Sequence, residues 1–167
     1  ETWDKRATTY DSIKWVHDAD LLTWVTHHAL VALVNAPRHS AVAATSLRAG
    51  ASVAEIGVGT GALTKRLLKA NLRVHGCDVS GEMLERCVLR CAGVNYHLTT
   101  QKLASPDEQP YGPGGWAGLV SRMVLHHAPC PPEQQVARWL ALVAPGCAVV
   151  VAEGPPPVTA RAHPAWA

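Results

Sequence analysis

Apolar positions along the chain fall into short unbroken runs, separated by stretches whose apolar residues recur at helical spacing. Val53-Ala54-Glu55-Ile56 is such a run with one acid in it, and it breaks into Gly57-Val58-Gly59-Thr60-Gly61. Leu63, Leu67 and Leu68 then mark one helix face, and a second run over 72–77 ends in Asp78. The pattern predicts strands near 52–56 and 73–77, with a helix over 62–70 between them. Ser80 is placed to cap a further helix whose inner face carries Met83, Leu84, Cys87, Val88 and Cys91. A third strand is expected near 95–98, followed by a proline- and glycine-rich loop over 104–115. A fourth is expected near 118–122. A helix over 133–143 opens on Pro131-Pro132, with Val136, Leu140 and Val143 turned inward, and a fifth strand near 147–152 ends in Glu153. Strands alternating with helices predict an α/β domain with a doubly wound, mostly parallel sheet.

Ahead of the first strand, residues 1–36 read as helix in two pieces. Ala7, Tyr10, Ile13 and Val16 mark the first. Leu21, Leu22, Trp24, Val25, Leu30, Val31 and Leu33 mark the second, with Asp18 or Asp20 as its cap. Residues 37–50 read as a loop and one helix over 40–47, without chemistry of their own. The whole is expected to be one domain: a helical cap (1–36), a sheet core (37–153) and a proline-rich tail (154–167).

Glycines at alternate positions let the backbone take positive φ and remove the Cβ atoms that would hold a ligand off. The helix behind them presents free N–H groups and a partial positive charge. In a doubly wound sheet Asp78 lies beside that loop, where it can accept bonds from two ribose hydroxyls. Strand, glycine loop, helix, strand, acid is therefore a nucleoside-binding half-domain. Gly57-x-Gly59-x-x-Ala62 with Asp78 also fits the dinucleotide fingerprint, which keeps a nicotinamide-dependent oxidoreductase open as an alternative. A domain that binds a cofactor without catalysis, acting as a partner subunit, is a further alternative.

Glu55-x-Gly57-x-Gly59-x-Gly61 resembles motif I of the class I S-adenosylmethionine-dependent methyltransferases. Asp78-Val79-Ser80-Gly81-Glu82-Met83-Leu84 resembles their second motif. Val120-Ser121-Arg122-Met123-Val124-Leu125-His126-His127 resembles the fourth-strand motif of the subgroup that includes the ubiquinone/menaquinone C-methyltransferases. Trp3-Asp4-x-x-Ala7-x-x-Tyr10-Asp11 is similar to that subgroup's N-terminal cap. The resemblance implies transfer of a methyl group from S-adenosyl-L-methionine to O, N or C of a small molecule. It implies that Glu55, Gly57, Val58, Gly59, Thr60, Gly61 and Asp78 hold the cofactor, Glu55 through the methionyl ammonium. Val79 and Met83 would flank the adenine and Tyr10 would cover the cofactor, with Trp3 and Trp15 closing the site. Thr100 falls at the family's usual acidic position for the adenine amino group, with Gln101 next to it, and Trp116-Ala117 stands where an aromatic–acid pair is common. Ser121 would lie beside the cofactor, and Arg122 would meet the methionyl carboxylate or an acidic substrate.

His126 and His127 fall at the same mouth. Three roles are open for them: packing, general base or orienting group, and metal binding with Cys130. An imidazole titrates where proton removal near neutral pH is useful. Adjacent histidines rarely converge on one ion without a well-placed third ligand, so no metal is expected. The same holds for Cys87 and Cys91, which share an apolar helix face.

Charge and composition narrow the partners. The 167 residues carry a formal charge of +2 with scattered basic residues, so nucleic acid is not favoured. No run suits a membrane span and no signal peptide is visible. Five cysteines without a C-x-x-C pair suggest reduced thiols and a cytoplasmic protein. The resembling fold continues for two more strands that this sequence lacks. The expectation is therefore an incompletely recorded chain, or a partner or homodimer covering the edge of strand 5.

Overall fold

The computed structural model describes residues 3–13, 16, 18–35, 51–94, 96–105, 108 and 116–153. Trp15, the helix expected over 40–47, Asn95, most of the 104–115 loop and the tail lie outside these residues.

Five strands form one sheet: β1 (Ser52–Ile56), β2 (Arg73–Asp78), β3 (Leu98–Lys102), β4 (Trp116–Arg122) and β5 (Val143–Ala152). Their order is β3-β2-β1-β4-β5 and every pairing is parallel. The helices are α1 (Trp3–Tyr10), α2 (Ala19–Asn35), α3 (Thr64–Lys69), α4 (Gly81–Arg90) and α5 (Pro132–Leu140). A 3-10 turn, Leu125–His127, follows β4.

Alternation along the strands divides the core in two. Val53, Val74 and Val120 pack with Val25, Ala29 and Leu33 of α2, Leu67 and Leu68 of α3, and Leu84 and Cys87 of α4. Ala54, Ile56, Cys77 and Leu119 face the other way and pack with Leu103 and Trp139 of α5. Helices on both faces make the sheet doubly wound, as the sequence pattern leads one to expect.

Local chemistry sets the ends of these elements. Asp18 caps α2, its Oδ1 accepting from the N–H groups of Asp20 and Leu21 at 3.0 and 2.9 Å. Ser80 caps α4, its Oγ accepting from Met83 N–H at 3.1 Å. Several expectations shift. β5 opens at Val143, a residue expected on the inner face of the preceding helix. Val88 of α4 and Leu21, Trp24 and Val31 of α2, all expected inward, are exposed. β3 lies three to four residues later than 95–98, because the Thr-rich segment after Leu98 fits an exposed strand, one with no buried residue. In α5 the inward face carries Gln135 and Trp139, which are buried, whereas Leu140 is exposed.

The chain runs outward from β1 to β2 and β3, then returns to β4 on the far side of β1. The crevice at the carboxyl ends of β1 and β4 is therefore the topological switch point, where such sheets bind ligands. The loops after β1, β2 and β4 meet there.

Gly61 shows how tightly α4 closes on the first loop. Its φ is +83°, and a Cβ there would lie 2.9 Å from the Cα of Cys87 and 2.8 Å from its Sγ. Gly61→Ala therefore combines a left-handed backbone with a clash against helix backbone, at a cost of about 2–4 kcal/mol. Urea unfolding should show this as a fall in midpoint with unchanged slope.

Candidate active site

The switch point holds a cavity of about 90 Å³ that opens to solvent. From the β1 loop it is lined by Ile56, Gly57 and Gly59, and from the end of β2 by Asp78, Val79 and Met83. Arg122, Met123, Val124, His127 and Ala128 line it after β4, and Gln135 and Trp139 line it from α5. Leu103 and, from α1, Trp3 and Tyr10 complete the wall.

Gly57 N–H and Val58 N–H both donate to Cys77 O, at 2.8 and 3.1 Å, and this folds the loop back onto β2. Gly59 N–H donates to Asp78 Oδ2 at 2.9 Å, while Asp78 Oδ1 accepts from Ser80 N–H at 2.9 Å. Burial raises the Asp78 pKa, against the backbone N–H groups of Ser80, Gly59 and Val79, which favour its charged form. Gly59 has φ +52°, and a Cβ there would meet only the Tyr10 ring edge, at 3.5 Å. A ligand can therefore approach the backbone at Gly59, beneath Tyr10 and beside the Asp78 carboxylate.

α1 lies over this loop. Ser80 Oγ donates to Asp4 Oδ1 at 2.5 Å, and Glu82 N–H reaches the same oxygen at 3.4 Å. Thr60 Oγ1 donates to Asp11 Oδ1 at 2.6 Å, and Arg90 pairs with Asp11 Oδ2 at 2.7 Å. Trp3 packs edge-on against both Tyr10 and His127, with ring centroids 6.3 and 4.9 Å apart.

The turn after β4 is held by Glu153. Its Oε1 accepts from the N–H groups of Val124 and Leu125, each at 2.8 Å, and its Oε2 meets His126 Nδ1 at 2.6 Å. His126 is thus bound to Glu153 and does not line the cavity. His127 does line it, at the rim. Burial of its ring, and then the neighbouring His126, lower its pKa and favour the neutral imidazole.

The other expected site residues lie apart from the cavity. Val58 is buried, packed over Gly76 of β2. Thr60 secures α1, and Gly61 packs on α4. Thr100 and Gln101 sit within β3, opposite Gly76 and Cys77, and Gln101 Oε1 meets His75 Nε2 at 3.1 Å on the sheet surface. The later start of β3 moves both below the site, and Leu103 takes the place beside the cavity. Ser121 is wholly buried with its Oγ unpartnered, opposite Ile56.

Glu55 also lies outside the lining, fully buried beneath the loop on the α3 side. Thr64 donates to its carboxyl group, while Oε2 has no partner. Burial pushes its pKa up to about 8. The sequence signals missed most clearly are Gln135 and Trp139, four residues apart on one helix face, as i and i+4 must be.

Folded Glu55 keeps its proton to about pH 8, whereas an unfolded chain loses it near 4.5. Stability from this group is full at acid pH and falls as pH rises between those values. Glu55→Gln removes that slope. The variant should match the parent in urea unfolding at pH 4.5 and exceed it at pH 7.5, by on the order of 1.4 kcal/mol for each pKa unit crossed.

A methyltransferase domain family matches residues 54–149, which span β1, the glycine loop, β2 and most of the sheet. An uncharacterized methyltransferase of Geobacillus kaustophilus is 30% identical over 107 residues, covering 64% of this chain and 48% of its own. A candidate S-adenosyl-L-methionine-dependent methyltransferase of Methanococcus maripaludis superposes with a TM-score of 0.70 at 17% identity, over 92% of this chain and 65% of that one. The S-adenosylhomocysteine complex of DhpI gives 0.66 at 19% identity, over 90% and 65%. The chain thus spans about half the length of the curated relative it matches. With the family matched across more than half of the chain, and the fold shared with these structures, the chain belongs to the class I S-adenosylmethionine-dependent methyltransferase family.

Proposed function

We propose that this domain binds S-adenosylmethionine in the cavity beneath α1 and catalyses methyl transfer to an O, N or C nucleophile of a small molecule. The observation that carries the reading is the open backbone at Gly59, set between the Asp78 carboxylate and the Tyr10 ring. The lining residues suit the cofactor part by part. Asp78 accepts from ribose hydroxyls, exchanging its bond to Gly59 N–H for theirs. Ile56, Val79, Met83 and Leu103 offer an apolar slot to a purine. Arg122, a guanidinium at the end of β4, suits a methionyl carboxylate. When bound, the cofactor supplies an electrophilic methyl group on a sulfonium.

The chain's own residues do the rest. Tyr10 and Trp3 exclude water above the loop, which strengthens the electrostatics at the reacting centre. Their faces also attract a sulfonium cation. His127, neutral and at the rim, takes the acceptor's proton where the nucleophile carries one. The free thiols support a reducing compartment, and the cytoplasm is the proposed location. Among the described residues β5 pairs only with β4, so a partner or second copy covering its far side belongs to the same proposal. A candidate methyltransferase of Haloferax volcanii, in complex with the methyltransferase activator Trm112, shares the fold, with a TM-score of 0.63 at 19% identity over 88% of this chain and 57% of that one.

Calorimetric titration with S-adenosylhomocysteine, with NADH in parallel, tests the cofactor. Binding of the first alone is expected, and binding of NADH alone would instead favour an oxidoreductase. Asp78→Asn should weaken S-adenosylhomocysteine by at least about tenfold, since a charge-assisted bond is worth roughly 1.5–3 kcal/mol. Unchanged affinity in the folded variant would remove Asp78 from the site.

The pH–rate profile tests His127. A base with a lowered pKa stays active to more acid pH, so the rate should fall only below the ordinary histidine value of about 6.5. His127→Ala should lower kcat and abolish that limb.

A further inference from the structure

The α5 side of the cavity contains a polar group that no cofactor role absorbs. Gln135 is 1% exposed, yet it lines the cavity. Cys130 Sγ donates to its Oε1 at 3.3 Å, which holds the amide by its oxygen and leaves Nε2 as the end that can donate to a ligand. An amide N–H in a cavity wall is a directional donor that an oxygen of a ligand can meet. Trp139 (3% exposed) follows one helical turn on, and Leu103, Ala128 and, at the rim, Trp3 and His127 line the same cavity.

None of these side chains carries a formal charge when His127 is neutral. The charged lining residues lie elsewhere. Asp78 closes β2. Arg122 alternates with Ser121 along β4 and so shares the sheet face of Glu55, the face opposite to Ile56 and Trp139. Arg6 packs over the Trp3 ring, 5.2 Å from its centroid, outside the lining.

We propose that this half of the cavity is the acceptor site, and that it takes an uncharged aromatic hydroxy compound with a second oxygen that accepts a hydrogen bond from Gln135. The proposal rests on the methyltransferase reading for its cofactor. The indoles of Trp3 and Trp139 supply flat apolar surface for an aromatic ring. The Gln135 amide fixes the ring by its accepting oxygen, and the hydroxyl is turned to His127. In the transfer the hydroxyl oxygen forms the new O–CH3 bond as the S–CH3 bond breaks. The S–C electron pair stays on sulfur, and the hydroxyl proton passes to the His127 imidazole. An ionic acceptor would lose its hydration among uncharged groups, which the site does not repay.

Three compounds of one shape separate the cases: 4-hydroxyacetophenone (uncharged), 4-hydroxybenzoate (anionic) and tyramine (cationic). Each is titrated into protein saturated with S-adenosylhomocysteine, with binding read by tryptophan fluorescence. The ketone should bind at least about tenfold tighter than either ion. Gln135→Leu should weaken the ketone by about tenfold and leave the S-adenosylhomocysteine affinity unchanged. Equal or tighter binding of an ion, no binding of the ketone, or an unchanged ketone affinity in the variant would each overturn the proposal. Should the variant not fold, the wild-type series decides alone. Failure of S-adenosylhomocysteine itself to bind would overturn the methyltransferase reading, and this one with it.

Discussion

The Asp78 carboxylate is the tie on which the ligand end of this domain depends. One oxygen takes Gly59 N–H and the other Ser80 N–H, so a single side chain holds the turn after β1 and the start of α4 in register. Ser80 then passes the connection outward. Its hydroxyl accepts from Met83 N–H to begin α4 and donates to Asp4 on α1. Loop, helix and cap are thus fixed relative to one buried acid. Burial raises its pKa, and N–H groups aimed at it keep the charged form accessible.

The cap is held at two points of different character. Near its start, Asp4 meets the N-terminus of α4, and Ser80 in particular lowers its pKa. Near its end, Asp11 is shared between Thr60 and Arg90, and Arg90 Nε also donates to the Thr60 carbonyl at 2.8 Å. The Arg90–Asp11 pair is about one-third exposed and contributes on the order of 1 kcal/mol or less. Between these points the buried Ala7 and the largely buried Tyr10 ring supply the apolar contact. The cap is therefore held by modest polar latches and a small apolar face.

How much was legible in the sequence follows from how local the physics is. The run into Gly57, the cap at Ser80 and the acid ending β2 each announce themselves through residues close in sequence, and all stand where the pattern predicted. Thr100 and Gln101 stand within β3 and not at its end, because an exposed strand lacks the alternating burial that marks a boundary. Gln135 and Trp139 were not singled out because glutamine reads as a surface residue, and the burial of this helix face follows from tertiary packing, with Trp139 set against Ala54, Ile56 and Leu103. Glu55 was assigned to the ligand on a family pattern. Its strand position is as expected, but its side chain turns to the α3 face. Proximity across a sheet is decided by pleat direction, and this is visible only once the register is fixed.

Ile56, Leu103 and Trp139 belong at once to the core beneath the sheet and to the cavity above it. In this domain the floor of the cavity is therefore structural masonry. A substitution that reshapes it also loosens the packing of α5, so changes in ligand preference and changes in folding stability are coupled at those positions. The rim residues Trp3, His127 and Ala128 are outside the buried core and free of that coupling. Divergence among chains of this design should accordingly run through the rim, with the floor changing only where the core can absorb it.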